Sequence, residues 1–309
     1  MAHATALRPP ITPSYWPGWL GVGLLWLLGR TPQSVAVALS GPVGALMRGT
    51  MGRRRQIARR NIERCFPGLD EARQQEILRG CFRSLARAVF EITWAWSASD
   101  RTMLRMLDIE GLEHVKAARK GGAGVLLITA HITSLEIGAR LMALGLGPDM
   151  PASGIYRPLK SPVLEWYQNR GRARYANTMI SKREMRGAIR LLRRGGMVWY
   201  APDQDFGRDQ SVFVPFFGIQ TATLLATHRL AQLTSCAVVP MFPVYNEQTR
   251  RYTIRFLPAL ETFPGPDPVA DLERVNALME AHIRSAPEQY WWIHRRFKTR
   301  PEGEAPFYD

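Results

Sequence analysis

The chain has 309 residues, 46% of them hydrophobic, which is enough for one large folded core, and its formal net charge is +15. Its basic residues are mostly arginine, so anionic membrane surfaces, acidic substrates and nucleic acid are compatible partners. Three cysteines without a CxxC pair argue against a zinc or disulfide framework and favour a reducing compartment.

Residues 11–29 contain no charged residue and predict a membrane anchor, either spanning or half-inserted. A buried core helix is the alternative, because Pro17 and several glycines weaken a plain membrane helix. A signal peptide is disfavoured, since only Arg8 precedes the stretch as a firm positive charge and no cleavage site follows closely. We therefore divide the chain into an anchor with an interfacial segment, residues 1–50, and a folded domain, residues 51–309.

Basic residues follow the apolar stretch, with a cluster of arginines at positions 53–60. If the stretch spans a bilayer, this positive charge places the rest of the chain in the cytoplasm. The cluster predicts contact with anionic lipid headgroups, and a solvated helix face is the alternative interpretation.

Strands and helices alternate through the rest of the chain. This pattern predicts an α/β fold, in which a single domain has a mostly parallel central sheet flanked by helices, plus the amino-terminal membrane-anchoring helix. Strands are expected at residues 107–109, 125–129, 150–156, 197–201, 237–243 and 252–260, and helices at 59–66, 71–96, 113–119, 162–172, 182–194, 221–233 and 271–284.

His131 follows the apolar strand at 125–129, at the point where a helix begins, and Glu136 comes five residues later. The carboxyl ends of parallel strands are where ligands bind in such sheets. A carboxylate beside an imidazole can fix its tautomer and make it a general base. The alternative is structural, because Thr133 and Glu136 match a helix capping box.

Three more polar residues follow strands and should emerge at the same edge. Arg157 follows the strand at 150–156 and could clamp a phosphate, or be an ordinary surface arginine. Asp203 and Asp205 follow the strand at 197–201 and could orient a sugar hydroxyl or hold Arg157, or simply form a turn. The sequence contains no GxSxG, P-loop, GxGxxG or HExxH motif, so we expect no metal, no cofactor and no protein nucleophile.

Six stretches of the chain carry a recognisable combination of motifs: RNIERCFPG (60–68), TAHITSLEIG (129–138), YRP (156–158), RGAIRLLRRGGMVWYAPDQDFG (186–207), SVFVPFFG (211–218) and YWWIHRRFKTRP (290–301). HxxxxE alone is a weak signal, whereas its combination with APDQD and WIHRRFK is strong. On these stretches the chain resembles the late (secondary) lipid A acyltransferases, the lauroyl/myristoyl transferase family of Gram-negative bacteria. This family belongs to the wider lysophospholipid acyltransferase-like superfamily with an HxxxxD/E motif.

The resemblance implies a single amino-terminal anchor, with an acyltransferase domain on the cytoplasmic face of the bacterial inner membrane. It implies transfer of an acyl chain, of lauroyl type, from acyl carrier protein to a hydroxyl of a lipid A precursor such as Kdo2-lipid IVA. By motif, it gives His131 the role of base and Glu136 that of its partner. Arg157, Asp203 and Asp205 fall on pocket motifs that bind substrate.

Two rivals remain open at this stage. An acyltransferase acting on another membrane acceptor, a lysophospholipid or a glycolipid, would carry the same base. A non-catalytic membrane protein that binds anionic lipid would share the charge and the apolar leader, but would not need His131. Nucleic-acid binding is disfavoured by the apolar leader and the buried strands.

Overall fold

A seven-stranded sheet forms the centre of the structure, a computed structural model that describes residues 9–308. The described residues form nine strands, of which β6 and β7 lie outside this sheet. They are β1 (Leu107–Glu110), β2 (Val125–Ile128), β3 (Ala152–Tyr156), β4 (Met179–Ser181), β5 (Met197–Tyr200), β6 (Ser211–Phe216), β7 (Ile219–Leu224), β8 (Ala237–Asn246) and β9 (Arg251–Phe256).

The sheet order is β1-β9-β8-β2-β5-β3-β4, and only the pairing of β8 with β9 is antiparallel. Helices cover both faces, so the expected α/β fold with a mostly parallel sheet is confirmed. The helices are α1 (Trp16–Leu28), α2 (Gln33–Thr50), α3 (Gly52–Cys65), α4 (Glu71–Ser97), α5 (Asp100–Leu104), α6 (Leu112–Ala118), α7 (Leu135–Leu146), α8 (Pro162–Arg172), α9 (Met185–Arg193), α10 (Ala226–Thr234) and α11 (Pro268–Ser285).

The central strands are buried on both faces and divide the apolar core into two clusters. Successive side chains of a strand point to opposite faces of the sheet. Leu126 and Ile128 of β2 therefore pack in one cluster with residues of α9, α10 and α11. Val125 and Leu127 pack in the other cluster with residues of α7 and the end of α4. This two-sided burial fixes the position of the carboxyl end of β2.

The amino-terminal helices carry an exposed apolar stripe. Trp16, Leu20, Leu24 and Leu27 of α1 are spaced at helical intervals and are all 58–78% exposed. Helix α2, in contrast, packs closely along α4. Within residues 9–308 no single helix is long and apolar enough to cross a bilayer; α1 with its preceding turn and α2 meet that test only as a pair, bent by 119°.

The structure differs from the sequence-based expectation after β5. A helix was expected from residue 221, but β6 and β7 form a separate antiparallel hairpin and the helix begins at Ala226. Phe217 and Gly218 form the two-residue turn with φ angles of 52° and 75°, the backbone that hairpin turns of this length favour. Asn276 of α11 donates hydrogen bonds to Pro215 O and Thr223 Oγ1, which holds the hairpin against the domain.

Helix α2 reaches α4 at a glycine. A Cβ atom at Gly44 would lie 2.8 Å from backbone atoms of Phe82 and Arg83, which cannot move without shifting α4. We predict that Gly44→Ala lowers the free energy of unfolding by about 1–3 kcal/mol through overpacking. Gly49→Ala in the same helix has nothing within 4 Å of the new methyl group and should be neutral or slightly stabilising. Chemical denaturation of both variants in detergent tests this, and equal stability would contradict it.

Candidate active site

His131 and Asp203 are brought together by the register of two neighbouring parallel strands. Ile128, the last residue of β2, lies opposite Tyr200, the last residue of β5, and Thr129 N–H continues the pairing to Tyr200 O. His131 comes three residues after Ile128, and Asp203 comes three residues after Tyr200. Because these two strand ends lie opposite each other, the side chains of His131 and Asp203 lie side by side at the carboxyl edge of the sheet.

The two residues share two hydrogen bonds. His131 Nδ1 lies 2.5 Å from Asp203 Oδ1, and the His131 backbone N–H donates to Oδ2 of the same carboxylate at 2.9 Å. Asp203 is only 2% exposed. Burial by itself would raise the pKa of Asp203, but the charge and hydrogen bonds of His131 outweigh it, and the pKa lies below its ordinary value. Asp203 is therefore an ionised acceptor.

This pairing fixes the tautomer of the imidazole. An ionised carboxylate can only accept hydrogen bonds, so Nδ1 must carry the proton that it shares with Asp203. Nε2 is then the basic nitrogen, and it has no hydrogen-bond partner between residues 9 and 308. The His131 side chain is 26% exposed, so Nε2 is open to a substrate. The arrangement is that of a general base held by a buried carboxylate.

Glu136 lies in a different environment, and the predicted pairing of His131 with Glu136 is wrong. Glu136 accepts hydrogen bonds from Trp96 Nε1 at 2.6 Å and from the Tyr175 hydroxyl at 2.7 Å. Arg172 binds it through two nitrogens, at 2.8 and 2.5 Å. The reason is the direction of α7, whose first turn carries Glu136 away from the strand ends and towards α4 and α8.

The capping-box alternative is also wrong. Helix α7 begins at Leu135, and its N-cap residue is Ser134, which makes no side-chain capping bond. Glu136 instead ties three elements together, because its partners come from α4, from α8 and from the turn after α8. Burial would raise the pKa of Glu136, but Arg172 and the other donors outweigh it and lower the pKa. Glu136 is thus a charged cross-link behind the site.

The carboxyl-terminal segment 290–298 forms one wall of the site, with its aromatic residues turned inward. The Trp291 N–H donates to His131 O at 3.0 Å, and Thr133 N–H donates to Gln289 O at 2.8 Å. Tyr290 is buried, and its pKa is raised by burial and by the nearby charge of Asp203. From sequence alone this segment could equally have been an interfacial patch.

Asp205, a predicted substrate-binding residue, anchors the end of the same segment. Its carboxylate accepts hydrogen bonds from Thr299 N–H at 2.6 Å and from the Thr299 hydroxyl at 2.8 Å. Its own backbone N–H donates to Nε2 of His294 at 3.3 Å. These contacts occupy Asp205 within the protein, so its observed role is to fix the loop that carries Asp203.

Arg157 follows β3 at the same edge of the sheet, as predicted from the sequence. β3 lies beside β5, so Arg157 and Asp203 follow adjacent parallel strands. The Arg157 side chain is exposed and makes no hydrogen bond or ion pair within the described part of the chain. It is thus free to meet an anionic ligand. Residues 9–308 contain no group of three or more His, Cys, Asp or Glu side chains that could hold a metal ion.

Removing the charge of Glu136 should cost stability. Glu136→Gln leaves the guanidinium of Arg172, whose side chain is 15% exposed, without its carboxylate. Breaking a buried ion pair from one side typically costs about 3–5 kcal/mol. Glu63→Gln, which removes an exposed ion pair with Arg59, should cost less than about 1 kcal/mol. Urea denaturation of both variants provides the comparison, and a Glu136→Gln protein as stable as the Glu63→Gln protein would show that the cluster is dispensable.

Protonation of His294 should lower the stability of the fold in acid. Burial lowers the pKa of His294 from 6.5 to about 4, so between these values the unfolded chain binds a proton that the folded chain does not. Stability therefore falls as the pH decreases from 6.5 to 4, with a contribution from His294 of about 2–3 kcal/mol. Unfolding measured against pH should show a shallower fall for His294→Gln than for the unsubstituted chain. Identical slopes would rule out this contribution.

Comparison with known proteins gives the same assignment over nearly the whole chain. The family model described as bacterial lipid A biosynthesis acyltransferase matches residues 8–299. The chain is 38% identical to the lipid A biosynthesis palmitoleoyltransferase of Escherichia coli K12 over 302 residues, which cover 97% of both chains.

Two further relatives from the same organism differ in the acyl group that their names give. The lipid A biosynthesis lauroyltransferase is 38% identical over 292 residues, 94% of each chain. The lipid A biosynthesis myristoyltransferase is 30% identical over 299 residues, 96% of this chain and 91% of the relative. Similarity of this extent, together with the motifs at the strand ends, leads to one conclusion. The chain belongs to the family of bacterial lipid A biosynthesis acyltransferases.

Proposed function

We propose that this acyltransferase moves a fatty acyl chain from acyl carrier protein to a hydroxyl group of a lipid A precursor such as Kdo2-lipid IVA. His131 is the general base, and Asp203 is the carboxylate that orients it. The observation that carries the proposal is the buried, ionised Asp203, which holds Nδ1 of His131 and leaves Nε2 facing outward. Asp203 thus takes the role that the sequence pattern suggested for Glu136.

The proposed reaction needs neither a covalent enzyme intermediate nor a metal ion. Nε2 of His131 removes the proton of the acceptor hydroxyl while its oxygen attacks the thioester carbonyl. The tetrahedral oxyanion then collapses, the carbon–sulfur bond breaks, and the imidazolium returns the proton to the leaving thiolate. The products are an ester and a free thiol. Asp203 stabilises the imidazolium between these two steps, because its negative charge lies against Nδ1.

Charge complementarity supports both proposed substrates. A lipid A precursor carries phosphates and sugar carboxylates, and acyl carrier protein is acidic, whereas this chain has a net charge of +15. Arg157 stands exposed at the sheet edge beside the dyad of His131 and Asp203, and we assign it to an anionic group of the acceptor. Asp205 supports the site from behind through Thr299.

We place the enzyme on the cytoplasmic face of the bacterial inner membrane, held by residues 1–50, with residues 51–309 as the acyltransferase domain. The exposed apolar stripe of α1 supports this placement, since four large apolar side chains on one helix face would otherwise lie in water. The arginines of α3 come after α2 in the chain, and we propose that they meet anionic headgroups.

The acyl group is proposed to be of lauroyl type. Identity alone does not decide this, because the palmitoleoyl and lauroyl relatives are each 38% identical to the chain. The proposal is tested by comparing turnover with lauroyl, myristoyl and palmitoleoyl donors. We expect the depth of the acyl groove to set the length of the chain that is transferred. This depth depends on how the side chains around the groove pack, and not on His131 and Asp203.

Removing the base should abolish most of the activity. We expect His131→Ala and Asp203→Asn to reduce turnover by about 10²–10⁴-fold with Kdo2-lipid IVA and lauroyl-acyl carrier protein, since each removes general-base catalysis. His114→Ala, a partly exposed histidine on α6, is the matched control and should keep full activity. Acylated product is measured by mass spectrometry.

Three outcomes would overturn the proposal. Full turnover by His131→Ala would show that His131 is not the base. No acylated product from the unsubstituted chain with any of these donors and acceptors would favour a non-catalytic lipid-binding protein. Product with lysophosphatidate as acceptor, but none with Kdo2-lipid IVA, would move the reaction to another membrane lipid.

A further inference from the structure

A large cavity lies apart from the dyad. It has a volume of about 970 Å³ and opens between the bend joining α1 to α2 and the carboxyl ends of α4 and α8. Neither His131 nor Asp203 lines it. This volume lies at the upper end of the range typical of sites for small ligands. The proposed reaction does not use this space.

The charged residues that line the cavity are all positive. Four arginines line it, namely Arg30, Arg105, Arg170 and Arg174, and no aspartate or glutamate does. None of the four forms an ion pair with another residue in the range 9–308. Four guanidinium groups without carboxylate partners around one space repel each other. They therefore favour an anionic ligand between them.

The wall of the cavity is fixed by hydrogen bonds and packing. Arg174 donates to Trp96 O at 3.1 Å and to Ala98 O at 3.0 Å, so its guanidinium is held at the end of α4. Gly171 lies against Trp96, and a Cβ atom there would come within 2.5 Å of the Trp96 side chain. Tyr167 packs edge-on against Trp96 at 5.6 Å. The cavity is thus bounded by a rigid aromatic wall.

The position of the cavity identifies the class of ligand. Trp26 and Arg30 at the end of α1 line it, with the Arg30 guanidinium over the Trp26 ring at 3.1 Å. Leu24 and Leu27, on the exposed apolar stripe of α1, flank Trp26 in the sequence. Tryptophan and arginine beside an apolar helix face are typical of the headgroup level of a bilayer. A ligand there would have its polar head in the cavity and its chains along α1.

We propose that this cavity binds the phosphate-bearing headgroup of an anionic membrane lipid that does not itself react. The phosphate is held by the four arginines, and the acyl chains lie along the apolar stripe of α1. Through Trp96, whose indole N–H binds Glu136, the occupied site braces the cluster behind the dyad. The placement rests on the proposed membrane contact of α1, but it does not depend on the chemistry of His131.

The test uses full-length protein in neutral detergent and two short-chain lipids that differ only in headgroup. Dihexanoyl phosphatidylglycerol should bind at least tenfold more tightly than dihexanoyl phosphatidylcholine, by titration calorimetry and by the rise in unfolding temperature. Arg105→Gln with Arg170→Gln should weaken phosphatidylglycerol binding by about tenfold or more. Neither of these side chains makes a hydrogen bond within residues 9–308, so the fold should persist.

The matched control removes the same charge elsewhere. Arg190 and Arg229 are exposed on α9 and α10, which cover the opposite face of the sheet, and Arg190→Gln with Arg229→Gln should leave binding unchanged. His131→Ala should also bind phosphatidylglycerol normally, even if the reaction assigned above is wrong.

Three results would overturn the proposal. One is equal binding by the Arg105/Arg170 variant and the unsubstituted chain. A second is binding of inorganic phosphate as tight as that of phosphatidylglycerol, which would mean a site for free anions. The third is one-for-one displacement of phosphatidylglycerol by Kdo2-lipid IVA, which would make the cavity part of the acceptor site.

Discussion

The hydrogen bond between His131 and Asp203 is the contact on which the rest of the site depends. A buried carboxylate is costly unless its charge is matched and its lone pairs are used. The ring and the backbone N–H of His131 occupy the two oxygens of Asp203, and the nearby charge of Arg296 also lowers its pKa. The parallel register of β2 and β5 makes this possible, and residues 290–298 close the site by hydrogen bonding to the same loop. The paired strand ends thus hold His131 and Asp203 next to each other.

The two carboxylates near the strand ends have separate tasks. Asp203 acts on the imidazole, whereas Glu136 holds Trp96, Arg172 and Tyr175 in place behind it. The HxxxxE pattern in this chain therefore combines the residue that we propose as the base with one that cross-links the scaffold. The spacing between His131 and Glu136 places Glu136 where it cross-links α7 to α4 and α8, and does not bring the two side chains into contact. Loss of either carboxylate should lower activity, but through different causes.

Much of the fold followed from the sequence, because the buried strands are short apolar runs that end in polar turns. The convergence of His131, Arg157 and Asp203 on one edge followed from the same alternation of strands and helices. The choice of partner for His131 did not, since it depends on which strands are neighbours. The sequence places His131 and Asp203 at the same distance past the ends of their strands. This equal distance predicts that the two side chains meet only once β2 and β5 are known to be neighbours. The direction of Glu136 depends on the helix angle, and the hairpin β6–β7 on a turn with positive φ at Phe217; neither can be read from hydrophobic periodicity.

The central claim is that Asp203, not Glu136, holds His131 in the tautomer whose Nε2 is free. The most direct measurement is nitrogen NMR of the protein labelled at histidine ring nitrogens, recorded at alkaline pH. We predict a protonated Nδ1 and an unprotonated Nε2 for His131, with this pattern lost in Asp203→Asn and kept in Glu136→Gln. A His131 tautomer that is unchanged by Asp203→Asn but altered by Glu136→Gln would contradict the account.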